Sequence, residues 1–124
     1  MKNLSMLFTG AVLTLGLASA AHADRPDHFK GKPAETLSAA VVNFSDYNQQ
    51  LAAVLAKDKL EPVDMAKVHE LTYTLENALE KISAEMTALA ETLEEVHVAS
   101  EKLDANTVQT QGQKYLGTAR EIIR

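Results

Sequence analysis

Residues 65–103 read MAKVHELTYTLENALEKISAEMTALAETLEEVHVASEKL. Within them Met65, Val68, Thr72, Leu75, Leu79, Ile82, Met86, Leu89, Leu93, Val96, Ser100 and Leu103 follow one another at alternating steps of three and four. That spacing keeps one stripe of a helix turned toward a partner. Between Val63 and Leu103 there is no Pro, no Gly and no turn dipeptide, and Asn77, the one residue there with a marked turn preference, falls inside the pattern. The stretch therefore predicts one continuous helix over residues 62–103, about 40 residues and about 60 Å long.

Two shorter helices flank it. Upstream, Leu37, Phe44 and Leu51 recur every seven residues, with Ala40, Val41, Tyr47, Val54 and Leu55 filling the positions between them. This predicts a helix over residues 34–57, with Pro33 suited to its first turn. The polar run Asp58-Lys59-Leu60-Glu61 separates it from Pro62, which again suits a helix start. Downstream, Asp104, Asn106 and Thr107 make a break and offer a cap, after which Val108, Gly112, Tyr115, Ala119 and Ile122 repeat to the end, predicting a helix over residues 106–123. Residues 24–33, with Pro26, Asp27 and Gly31, read as an extended leader. Gly (5) and Pro (3) are too few for the tight turns of an all-β fold, so the class is an all-α helical bundle, its domain spanning residues 34–124.

Lengths decide the assembly expected. A helix of about 60 Å cannot lie inside a compact domain of about 100 residues, whose radius of gyration is about 13 Å. The two shorter helices laid end to end would tile it, leaving each level two helices thick. Two helices do not cover a wide apolar stripe, and Leu71, Ala78 and Ala99 widen this one. A homodimer through the long helix completes a four-helix cross-section; in an antiparallel pair, residue i would face about residue 168 − i. The competing arrangement breaks the helix near Ser83-Ala84 and folds one chain into a four-helix bundle.

The first 23 residues read differently. Lys2, the apolar stretch Leu4 to Leu17 and the small-x-small site Ala21-His22-Ala23 have the form of a secretory signal peptide, placing Asp24 first in the mature chain. The apolar stretch is shorter than the roughly 20 residues of a membrane span. The mature chain is then expected to be periplasmic or secreted and free of the membrane. The sequence has 12 basic and 17 acidic residues; with Lys2 removed, 11 face 17, a net charge of −6. The basic residues are scattered, so nucleic acid is not an expected partner. There is no Cys, so neither disulfides nor a lipidated thiol enter the account.

Histidines carry what chemistry the sequence offers. His69 and His97 lie four heptads apart on the same flank of the long helix, about 40 Å along its axis. Antiparallel pairing, or a hairpin at residue 83, would bring the two together. Glu94 and Glu101, three residues before and four after His97, can reach the same side. His69, His97, Glu94 and Glu101 are thus the candidate ligands of a divalent metal such as Zn²⁺. The alternative use is as solvated flank residues paired with neighbouring acids. Glu94 and His97 have the Glu-x-x-His spacing of di-iron bundles, but Ala66 stands three residues before His69 where a second copy needs Glu. No haem attachment motif and no nucleophile, base and acid grouping is present, so neither a haem cofactor nor catalysis is expected. The acids Glu91, Glu94, Glu95 and Glu101 read as a solvated face or a docking face for a basic partner.

The stretches His28-Phe29-Lys30-Gly31, Leu71 to Leu79 and Glu94 to Glu101 resemble a family of small exported bacterial proteins known as a domain of unknown function. The resemblance covers most of the mature chain. It implies an exported helical protein and no established activity. The expected function is non-enzymatic binding or assembly; a metal-binding bundle and a periplasmic chaperone-like or stress protein are the alternatives.

Overall fold

The computed structural model describes residues 29–123; the segment read as a signal peptide lies outside them. The described chain is all-helical. Helix α1 spans Leu37–Leu55, α2 spans Pro62–Glu101 and α3 spans Ala105–Ile122. Helix α2 is unbroken through Ser83 and Ala84, which removes the hairpin and with it the single-chain four-helix bundle.

The ends of the helices follow from their caps. Helix α1 begins at Leu37 rather than at 34, because the Thr36 hydroxyl accepts the Ala39 N–H at 3.1 Å. Pro33 therefore lies outside the helix, its carbonyl accepting from Asn43 Nδ2 at 3.2 Å. Helix α2 opens with Pro62, and the Asp64 carboxylate accepts the Glu61 N–H at 3.0 Å. At its other end Leu103, predicted as the last residue of the stripe, is outside the helix with φ 57. The Asp104 N–H reaches Ala99 O at 3.0 Å and the Leu103 N–H reaches Ser100 O at 3.1 Å. These two bonds make a Schellman turn, with Leu in the left-handed position that usually falls to Gly. Asp104 then caps α3, accepting the Thr107 N–H at 3.1 Å and its hydroxyl at 2.7 Å.

Helices α1 and α3 both pack along α2 and touch each other. At 19 and 18 residues they are together about 55 Å long, against about 60 Å for the 40 residues of α2. They tile it end to end, as expected. The core is thin. Among the described residues the buried apolar side chains are Leu37, Ala40, Leu71, Leu75, Ala78, Leu89 and Ala99, three of them alanine. On α2 the buried residues are spaced to face the flanking helices: Leu71, Ala78, Thr92 and Ala99 recur by sevens, with Leu75 and Leu89 beside them. The heptad position between Ala78 and Thr92 is Glu85, half-buried and paired with Lys81 at 2.7 Å, near where the two short helices end.

Candidate functional site

The stripe predicted on α2 is divided by the structure. Its inner row, Val68, Leu75, Ile82, Leu89 and Val96, is buried or half-buried. Its outer row recurs every seven residues as Met65, Thr72, Leu79, Met86, Leu93 and Ser100. Met65, Leu79, Met86 and Leu93 in that row are 56%, 46%, 47% and 46% exposed. Adjacent to it on the open side runs a second exposed row, His69, Glu76, Ser83, Ala90 and His97. Neither α1 nor α3 covers this face, which extends about 42 Å from Met65 to Leu93.

Both candidate histidines sit on the open row and are exposed. In one chain they are separated by 28 residues of unbroken helix, about 42 Å, and cannot share an ion. The His69 ring meets Tyr73 edge-on at 5.1 Å, with Nε2 3.4 Å from the phenol oxygen. His97 Nε2 is 3.4 Å from Glu101 Oε1, and both side chains remain largely in solvent. Glu94 takes a different course, lining a cleft with Val98, Lys102 and Thr107 at the start of α3. The structure thus joins His97 with Glu101 and leaves Glu94 and His69 apart from them. Among the described residues no group of three or more His, Asp or Glu is gathered within one chain.

A feature that the sequence reading left as leader lies across α2. Residues 29–35 are outside the helices, and Gly31 passes so close to α2 that a Cβ on it would stand 2.5 Å from the Thr74 nitrogen. The Lys32 N–H donates to Thr74 Oγ1 at 3.0 Å, and Asn77 Nδ2 donates to Lys32 O at 3.0 Å. Phe29 stacks obliquely on Tyr73 at 5.8 Å, and Lys32 Nζ sits 5.5 Å from the Tyr47 ring centre. The signals were Gly31 itself and the polar pair Thr74 and Asn77 placed three residues apart on α2.

The electrostatics are local. Lys57 Nζ donates to Asp64 Oδ1, and that bond, with the Glu61 N–H, holds the Asp64 carboxyl below its ordinary range. The Thr107 hydroxyl and N–H do the same for Asp104. Both carboxylates secure helix starts.

A model of a family of unknown function, DUF6746, matches residues 1–124. The chain belongs to that family. No curated protein and no solved structure matches this DUF6746 member. No helix among its described residues is long and apolar enough to cross a membrane.

Proposed function

We propose that this DUF6746 protein is an exported, non-enzymatic helical module that works by assembly, pairing with a second copy of itself through the open face of α2. The observation that carries the reading is the row Met65, Leu79, Met86 and Leu93, about half exposed along a helix whose other side is occupied by α1 and α3.

A second copy fits this face because the face is its own complement in reverse. Taken antiparallel about the Ile82–Ser83 midpoint, residue i faces about residue 165 − i. In the inner row Val68 then meets Val96, Leu75 meets Leu89 and Ile82 meets itself. In the outer row Leu79 meets Met86 and Thr72 meets Leu93. On the open row His69 meets His97 and Ser83 meets itself. This register replaces the 168 − i pairing expected from the sequence, because the inner row is shared with the flanking helices and the outer row becomes the centre of contact.

In such a pair the inner row points to the middle of a four-helix cross-section made of two long helices, one α1 and one α3. Magnitudes favour a reversible dimer. A strip about 42 Å long and about 10 Å wide is about 420 Å² per chain, about half of the roughly 800 Å² of a standard interface. Covering the four half-exposed side chains on each copy is worth about 1 kcal/mol apiece, against an association cost of about 4–15 kcal/mol. The row alone offsets the lower part of that cost.

Sedimentation equilibrium tests the reading. Untagged protein is expected to dimerise reversibly, and L79E with M86E to shift it to monomer while its helical circular dichroism is kept. A wild-type chain that stays monomeric at roughly 100 µM would overturn it. The chaperone-like reading uses the same exposed row, since thioethers such as Met65 and Met86 adapt to varied apolar surfaces. It predicts suppression of client aggregation by the monomeric L79E/M86E variant's parent and not by the variant, with no self-association in the parent.

A further inference from the structure

We infer that the antiparallel pair carries two identical sites for a divalent transition-metal ion, each formed by His69 of one copy with His97 and Glu101 of the other. The inference rests on the dimer proposed above and deepens it, since the ion would tighten the same interface.

Register brings the groups together. At 165 − i, the residue level with His69 is 96, so His97 of the second copy is one residue away, about 1.5 Å along the axis. Both histidines belong to the row that flanks the contact on its open side, and a two-fold axis across antiparallel helices sets each such row against its own counterpart. Neither imidazole is buried under α1 or α3; turning toward the seam exchanges only the exposed His69–Tyr73 contact and keeps Glu101 beside His97. Glu101 already stands 3.4 Å from His97 Nε2 and follows it as a third donor. Two imidazoles and a carboxylate, completed by water, match the donor set and the open fourth position that Zn²⁺ accepts. Thiolate-preferring ions have no donor here, because the chain has no Cys. The two sites lie about 42 Å apart at either end of the paired face.

Because each site takes one histidine from each copy, variants can complement each other. Zn²⁺ is added to untagged protein, and the dimer affinity and bound zinc are read by sedimentation and by metal analysis after gel filtration. Wild type should bind about one ion per chain and dimerise about tenfold more tightly with zinc. H69A and H97A should each lose that response while keeping the zinc-free dimer; His28, present in every variant, supplies the background. Equal mixing of the two variants makes about half the dimers mixed, each with one intact site, and so restores about a quarter of the wild-type sites. Zinc response retained by either variant alone, or no restoration on mixing while the zinc-free dimer persists, overturns the metal inference and leaves the dimer standing. A chain that is monomeric with and without zinc overturns both.

Discussion

Gly31 lies against the backbone of Thr74 at a distance that admits no side chain: a Cβ would stand 2.5 Å from the Thr74 nitrogen and 2.6 Å from the Tyr73 carbonyl carbon. The obstacle is helix backbone, which cannot rotate aside. The contact allows the Lys32 N–H to satisfy Thr74 Oγ1, a hydroxyl that is buried in the middle of α2. Gly31→Ala is expected to lift the strap and destabilise the protein by about 1–3 kcal/mol, as overpacking does elsewhere. Urea unfolding measures the loss, and faster amide exchange at Lys32 shows that the strap is its source.

Gly112 and Gly117 behave oppositely. A Cβ on either meets nothing within 4 Å, so no close approach within the chain requires them. Each stands inside α3 and forgoes helix propensity. Gly112→Ala and Gly117→Ala should each raise stability by about 1 kcal/mol, seen as a higher urea midpoint with an unchanged slope.

Leu103 occupies the left-handed position of the turn between α2 and α3 and is 90% exposed, so its side chain returns little for the strained backbone. Leu103→Gly should stabilise the chain by about 1 kcal/mol. Thermal unfolding reads the gain.

Asp64 links the α1–α2 connection to pH. Its carboxyl is held below its ordinary value of 3.8 by the Lys57 ammonium and the Glu61 N–H. A carboxylate whose folded value is depressed contributes stability that is fully present above the unfolded value and is lost as pH falls through the folded one. Stability should therefore be flat near neutrality and decline below about pH 4. Asp64→Asn should be less stable at pH 7 and should show less of that decline. Urea titrations at pH 7 and pH 3 make the comparison; equal pH dependence in the two proteins would contradict the role given to Asp64.

The long helix was legible because nothing in residues 62–101 interrupts its spacing, and its end-to-end tiling by two shorter helices followed from lengths alone. The division of the stripe was not legible. Heptad spacing says which residues share a face, but Leu75 and Leu79 both satisfy it, and only the packing of α1 and α3 buries the first and leaves the second in solvent. Caps corrected the ends, with Thr36 outcompeting Pro33 as the start of α1. The strap escaped because a glycine in a leader is read locally as a turn, whereas Gly31 serves a contact 43 residues away at Thr74. At the candidate metal site, sequence distance paired His97 with Glu94 and Glu101 alike; the structure sets Glu101 beside the His97 ring and has Glu94 lining a cleft with Val98, Lys102 and Thr107.

The antiparallel pairing of α2 can be read with single cysteines, since the chain has none of its own. Ser83 is exposed and lies at the centre of the proposed two-fold, facing itself, whereas Ala90, on the same row, would be about 22 Å from its counterpart. A disulfide needs Cα atoms within about 7 Å. Oxidation of Ser83→Cys is predicted to give a covalent dimer and oxidation of Ala90→Cys to give none. Cross-linking of both would mean parallel helices, cross-linking of neither would mean that this face does not pair, and either result contradicts the account.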